Sequence, residues 1–137
     1  MAGEIPLSVK TFSISFKIAN ATTGESNTDL TRDGGNSLWV APKAGSIVGI
    51  GVACSAAITA GTATFRAHSA STEIADASYP APVCSSTNRH SYAVVRPRAL
   101  TFSAGDALGI SVTTRTALDA TNSLDFDADL YVAFDND

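Results

Sequence analysis

Ser103-Ala-Gly-Asp-Ala-Leu-Gly-Ile-Ser-Val-Thr-Thr114 is the stretch that decides the fold, because the chain carries a second version of it, Lys43-Ala-Gly-Ser-Ile-Val-Gly-Ile-Gly-Val-Ala53. Five residues recur 60 positions later, with Ser46 replaced by Asp106: Ala44, Gly45, Gly49, Ile50 and Val52 return as Ala104, Gly105, Gly109, Ile110 and Val112. Each copy predicts a tight Ala-Gly-polar turn, because Gly supplies a positive φ and Ser or Asp binds the local backbone. The alternation of apolar and small residues after each turn predicts a strand.

Two longer stretches alternate strictly and predict half-buried strands. In Val9–Ala19 the apolar side chains Phe12, Ile14, Phe16 and Ile18 share one face. In Leu124–Phe134 one face carries Leu124, Phe126, Ala128, Leu130, Val132 and Phe134, and the other carries Asp125, Asp127, Asp129, Tyr131 and Ala133.

The remaining pattern predicts shorter strands. They are expected over Ser37–Ala41, Ser46–Ala57, Thr62–His68, His90–Pro97 and Ala107–Arg115, with a hairpin at the Thr59–Thr62 turn. About eight strands and no amphipathic helix predict an all-β fold, a single jelly-roll-like β-sandwich spanning residues 9–137. The two copies of the motif are expected in related places, in the two sheets. Residues 1–8 are expected to be an extended arm, since Pro6 disfavours helix.

Length and charge limit the classes of function. The 137 residues fit one domain. A net charge of −4 and a pI of about 4.9 disfavour a nucleic-acid partner. No apolar stretch reaches the ~20 residues of a membrane helix, and the N-terminus shows no secretion signal. Cys54 sits in an expected strand and Cys84 in an expected loop; free thiols are the main expectation, and a bridge between them is the alternative.

Asp125, Asp127 and Asp129 are the most prominent candidate site. Period-2 spacing places the three carboxylates on one strand face at intervals of roughly 6.8 Å, too far apart for this strand alone to hold a calcium ion. We expect a solvated face or pairing with arginines, with a metal site as a weaker alternative.

No catalytic signature accompanies the two histidines, His68 and His90. There is no Gly-x-Ser-x-Gly elbow, so we expect no enzymatic activity and no cofactor. Trp39, Tyr79, Tyr92 and Tyr131 could form a sugar-stacking platform, but the place of Trp39 between Leu38 and Val40 favours packing in the core or at its rim.

Charge is distributed unevenly along the chain. Residues 89–115 contain four arginines and one acid, whereas residues 119–137 contain six aspartates and no base. The connections 20–36 and 69–90 are long and polar, and connections of that length usually make contacts. The uneven charge predicts pairing between these two regions, either within one sheet or between subunits, and pairing between subunits is the hypothesis we carry forward.

Four stretches resemble small structural proteins of tailed bacteriophages. They are Pro42–Ala53 followed by Ala60–Ala67, then Leu100–Thr114, and the terminal Ala128-Asp-Leu-Tyr-Val-Ala-Phe. The resemblance covers about residues 38–134 and implies a trimeric β-sandwich. It implies a head decoration (cement) protein that bridges major capsid protein subunits on the virion exterior, with assembly in the host cytoplasm and no nucleic-acid or membrane partner. Under this hypothesis the contact residues are Ile5, Pro6, Leu7, Arg32, Arg96, Arg98, Asp125, Asp127 and Asp129.

Two other functions fit the same strand pattern. One is a tail-fibre or receptor-binding module, although the chain has no coiled-coil or collagen-like stalk. The other is a lectin-like carbohydrate-binding domain unrelated to phage.

Overall fold

The computed structural model describes residues 11–19, 21, 28–32, 35–69, 72–73, 81–95, 100–114, 119–120 and 125–135. This part of the chain contains strands and connections and no helix. The strands are β1 Thr11–Ile18, β2 Thr28–Asp29, β3 Trp39–Val40, β4 Gly45–Cys54, β5 Ile58–Ala60, β6 Thr62–Ser69, β7 Thr72–Glu73, β8 Val83–Ser85, β9 His90–Val94, β10 Leu100–Phe102, β11 Ala107–Thr114, β12 Asp119–Ala120 and β13 Phe126–Phe134.

The strands form two main antiparallel sheets that pack as a jelly-roll-like sandwich, which confirms the predicted fold class. The first sheet has the order β1-β13-β4-β10, with β9 also paired to β4. The second has the order β2-β11-β6-β7, with β3 paired to β11 and β8 paired to β6. Strands β12 and β5 form a separate two-stranded ladder. The repeated motif supplies a central strand to each main sheet, β4 to the first and β11 to the second, as the sequence predicted.

The core lies between the two sheets and follows the predicted alternation. On β13, Phe126, Ala128, Leu130 and Val132 are all buried, and Ile14 and Phe16 are buried beside them on β1. The second sheet contributes Ala63, Phe65, Ala67, Leu108, Ile110 and Val112. Phe65 and Phe126 meet edge to face between the sheets, with ring centroids 5.0 Å apart. Each such side chain contributes roughly 1.5–3 kcal/mol by leaving water.

The two glycines of the repeated Ala-Gly turn serve different purposes. Gly105 has φ 89° in a turn in which Asp106 N donates to Ser103 O over 3.1 Å. The Asp106 carboxylate accepts from Ser103 N over 2.8 Å, as the Asp in this motif predicted. Gly45 was expected to do the same, but it is the buried first residue of β4, closely packed against Ala133 of β13. Close packing of β13 therefore explains why glycine occupies position 45.

Three local predictions were wrong for reasons of sheet pairing. Gly61 turns the chain with φ 78°, but β5 pairs with β12 and β6 pairs with β11, so no hairpin forms there. Cys84 lies on β8, a short strand paired with β6, and not in a loop. Ala133, expected to face outward, is buried where it lies between Thr11 of β1 and Ser46 of β4, outside the core cluster.

The ends of the first sheet are distinct. Thr11, Phe134 and Gly45 lie at one end, which we call the arm end because β1 begins there. Ile18, Phe126 and Cys54 lie at the opposite, far end. Among the described residues, no helix is long and apolar enough to span a membrane.

Candidate binding surfaces

The outward face of the first sheet presents two tyrosines over a glycine floor. Tyr92 of β9 is opposite Gly51 of β4, and Gly49 is opposite Tyr131 of β13. The two tyrosine rings meet edge to face, with centroids 5.6 Å apart and an interplanar angle of 73°. Tyr92 remains 56% exposed. We call these four residues the tyrosine face.

Glycine is required on this floor because the Tyr92 ring lies on the backbone of β4. A Cβ at Gly49 would lie 2.8 Å from Tyr92 Cζ and 3.1 Å from Cε2. A Cβ at Gly51 would lie 3.3 Å from Tyr92 Cδ2 and 3.4 Å from Tyr131 Cε2. The group that approaches β4 at these glycines is an aromatic side chain.

The aspartates of β13 border the tyrosine face. Asp127 and Asp129 point outward, as predicted; Asp127 is exposed and Asp129 half-buried. Asp125 precedes the strand and is exposed. We call Asp127 and Asp129 the acidic row. Their cross-strand neighbours on β1 are Lys17 and Ser15, whereas the sequence suggested arginines.

A hydrogen bond orients Asp129, and both aspartates of the acidic row line a depression. Ser15 Oγ donates to Asp129 Oδ1 over 2.7 Å. The depression has a volume of about 310 Å³ and is lined by Ser15, Phe16, Lys17, Thr31, Asp127 and Asp129. Within the described part of the chain, no group of three His, Cys, Asp or Glu side chains could hold a metal ion.

The environment of Tyr131 keeps its hydroxyl protonated. Partial burial, then the negative charge of Asp129 and the neighbouring Tyr92, raise the pKa of Tyr131 above its ordinary value. At neutral pH this hydroxyl is therefore a hydrogen-bond donor beside a row of acceptors.

A second apolar surface lies at the arm end. Trp39 packs edge to face on Phe102 at 6.2 Å and lies 6.3 Å from Phe134, so it packs at the rim of the core as predicted. Phe12 lies 5.2 Å from Phe134 and is 46% exposed. Val40 beside Trp39 is 60% exposed. Exposed apolar side chains beside the start of β1 offer a contact surface.

The other contact residues expected from the sequence divide into two groups. Ile5, Pro6, Leu7, Arg96 and Arg98 lie outside the described residues. Arg32 is described: its guanidinium Nη1 lies 3.4 Å from the Leu38 carbonyl oxygen, to which it donates. No described contact joins Arg32 to the acidic row.

The two cysteines are buried and do not form a disulfide, which confirms the prediction of free thiols. Cys54 Sγ donates to Ala56 O over 3.2 Å, and Cys84 Sγ is 3.8 Å from Arg89 O. Burial, and then the adjacent Cys54, raise the pKa of Cys84 to about 12, so its thiol stays protonated and unreactive at neutral pH.

The two histidines have different surroundings. His68 is buried in the second sheet, with Nε2 3.1 Å from Asp29 Oδ1. His90 begins β9 in the first sheet and is exposed. The imidazoles thus belong to different sheets, which disfavours a shared site.

Comparison with known proteins finds solved structures with a similar fold. No protein-family model and no curated protein sequence matches the chain. A chain in the acid-stable capsid of Helicobacter pylori bacteriophage KHP30 is 9% identical with a TM-score of 0.51, covering 90% of this chain and 87% of that one. A chain in the capsid asymmetric unit of cyanophage Pam1 is 11% identical with a TM-score of 0.52, covering 98% of this chain and 92% of that one. The sandwich described here is therefore a fold that also occurs in phage capsids.

Proposed function

We propose that this chain is a phage head decoration (cement) protein, a non-enzymatic subunit that binds the capsid exterior as a homotrimer and bridges major capsid protein subunits. The observation that carries the proposal is the match to chains of two phage capsids over 87% or more of each partner. Matches that span both chains imply that those capsid components are about as long as this one. A small accessory subunit of the shell fits that length.

The surface at the arm end supports a capsid contact. Phe12 and Val40 leave apolar area exposed there, and residues 1–8, with Ile5, Pro6 and Leu7, precede the start of β1 at this same end. Under the proposal, the arm and the connections 20–36 and 69–90 contact neighbouring shell subunits. Bridging stabilises a shell because the contact area is buried only once the subunits reach their final geometry.

Charge on the first sheet supports association between copies of the chain. Asp127 and Asp129 face outward, and the sequence places Arg96 and Arg98 just after Val95, beyond β9 of the same sheet. In the proposed trimer, the arginines of one copy pair with the carboxylates of the next. Assembly on the virion exterior requires no cofactor, nucleic acid or membrane.

Binding to isolated capsids tests the proposal. Capsids purified without this chain are mixed with the intact chain or with a variant lacking residues 1–8, and bound protein is measured after sedimentation. We expect the deletion to abolish binding while the circular dichroism spectrum and melting temperature stay close to those of the intact chain. Undiminished binding by the truncated chain would refute the arm contact.

Trimer formation is tested separately by sedimentation equilibrium. A variant with Asp125→Asn, Asp127→Asn and Asp129→Asn keeps the strand but removes three charges, so it should dissociate at a higher concentration than the intact chain. Ser86→Ala, in an exposed turn of the chain, is the matched control. A monomeric intact chain, or an unchanged trimer in the triple variant, contradicts the charge-pairing role.

A further inference from the structure

We infer that the tyrosine face and the adjoining acidic row form a binding site for an uncharged, hydroxyl-rich saccharide. The inference requires neither the arm nor capsid binding, because it concerns the outward face of the first sheet. It uses the acidic row that the proposed trimer pairs with arginines of a neighbouring copy, so a saccharide and that copy would compete for these carboxylates. It rests on the shape of the aromatic surface, on the hydrogen-bonding groups beside it, and on the sign of the charge around it.

The exposed aromatic surface is the ring of Tyr92, which is held in place. Tyr92 lies on a glycine floor, because Gly49 and Gly51 leave room for its ring against the β4 backbone. The Tyr131 ring packs beside it at a centroid distance of 5.6 Å and an interplanar angle of 73°. With one ring face on the backbone and over half of the side chain exposed, the other face is available for the C–H face of a sugar ring. Aromatic side chains with a polar tip suit such half-apolar, half-wet contacts.

Hydrogen-bonding groups lie one strand away from this ring. Asp129 is the cross-strand neighbour of Gly51, and adjacent strands are about 4.8 Å apart. A sugar ring stacked on Tyr92 is therefore within reach of the Asp129 carboxylate, which also lines the 310 Å³ depression with Ser15, Lys17, Thr31 and Asp127. The Ser15 hydrogen bond fixes one carboxylate oxygen, while a carboxylate has about four acceptor positions in all. Apolar surface with a few oriented polar groups is typical of small-ligand sites.

The charge of the site selects among saccharides. Asp127 and Asp129 place two carboxylates in the depression against the single ammonium of Lys17. Sugar hydroxyls can donate to these carboxylates, whereas the carboxylate of a uronic or sialic acid would be repelled. The face should therefore bind neutral saccharides and reject acidic ones.

A protein partner is the main competing occupant, and it fits this face less well. The apolar part consists of the two tyrosine rings and Val94, and polar or charged residues border it on β1 and β13. A stable protein interface buries roughly 800 Å² on each partner. The larger aromatic cluster with exposed Phe12 and Val40 lies at the arm end, which leaves the tyrosine face for a ligand of the size of a sugar ring.

The test begins with the intact chain on a printed array of neutral and acidic glycans. The strongest neutral hit is then titrated by isothermal calorimetry against four variants. Tyr92→Ala removes the stacking surface and should weaken binding by about tenfold or more. Tyr92→Phe keeps the ring and should bind within about threefold of the intact chain, and Asp129→Asn should weaken binding to an intermediate degree. Ser86→Ala, in an exposed turn away from this face, is the control and should bind normally.

Each contrary outcome overturns the inference. No neutral glycan bound on the array, a preference for acidic glycans, or equal binding by Tyr92→Ala and the intact chain would each do so. Loss of capsid binding in both Tyr92→Ala and Val94→Thr, a second substitution on this face, without glycan binding, would assign the face to a protein partner. Failure of capsid binding in the arm-deletion variant leaves this inference intact, because that deletion spares the tyrosine face.

Discussion

Alanine at Gly45 and at Gly105, the equivalent glycines of the repeated motif, should destabilise the fold for two different reasons. A Cβ at Gly45 would lie 2.9 Å from Phe102 Cζ and 3.0 Å from Phe134 Cα, and closer still to the Ala133 carbonyl oxygen. The backbone of β13 cannot retreat without opening its ladder with β4. Overpacking usually costs about 1–3 kcal/mol. We expect about 3 kcal/mol for Gly45→Ala because backbone obstructs the new atom.

Gly105→Ala meets no atom within 4 Å, but the backbone there has φ 89°. The left-handed conformation costs an L-residue roughly 1–2 kcal/mol, and stiffening of the unfolded chain offsets roughly 0.4–1 kcal/mol of this. The expected net loss is about 1 kcal/mol. Asn tolerates the left-handed region, so Gly105→Asn should be more stable than Gly105→Ala. At position 45, Asn adds more bulk and should be no better than Ala.

Urea denaturation followed by circular dichroism measures the four variants. Each kcal/mol corresponds to a shift in melting temperature of about 3–4 °C for a domain of this size, so thermal scans give a second readout. If Gly45→Ala lost no more stability than Gly105→Ala, or if Asn restored stability at position 45, the assignment of close packing to one glycine and of backbone conformation to the other would be refuted.

Two further predictions concern the core and its thiols. Phe65→Ala should lose about 3–5 kcal/mol of unfolding free energy, because Phe65 is fully buried against Phe126. Phe12→Ala, at a 46% exposed position, should lose less than half as much in the same urea titration; equal losses would contradict a core between the sheets. Because the pKa of Cys84 is raised from 9.0 to about 12, the unfolded chain releases this proton first, and the unfolding free energy should fall as pH rises from about 9 to about 12. The decline should be shallower in Cys84→Ala, and identical pH profiles in the two proteins would count against a buried thiol.

The parts of the fold that the sequence predicted are those in which each strand has one face in the core. Ile14 and Phe16 on β1, and Phe126 to Val132 on β13, alternate because the sandwich buries only one side of each strand. The same alternation correctly predicted that Asp127 and Asp129 face outward. Local chemistry also identified the Ser103–Asp106 turn, since its φ and its side-chain hydrogen bond involve adjacent residues.

The predictions that were wrong concern residues whose structural neighbours are distant in the sequence. Gly45 has the same local sequence as Gly105, but its role is set by Ala133 and Phe102, which only the sheet order brings close. The hairpin predicted at Gly61 does not form because β5 pairs with β12 and β6 pairs with β11. Strand β8 has three residues, too few to carry a periodic signal.

The tyrosine face likewise depends on strand order. Tyr92 and Tyr131 meet only because β9 and β13 both pair with β4. In the sequence the two tyrosines belong to separate strands, so their spacing carries no signal of contact.

The copy number of this chain in purified phage particles tests the central claim most directly. Quantitative mass spectrometry with isotope-labelled peptides would compare this chain with the main shell protein of the same particles. The proposed decoration role predicts a copy number comparable to that of the shell protein. Only a few copies per particle would indicate a tail component, and absence from the particles would contradict a role in the virion.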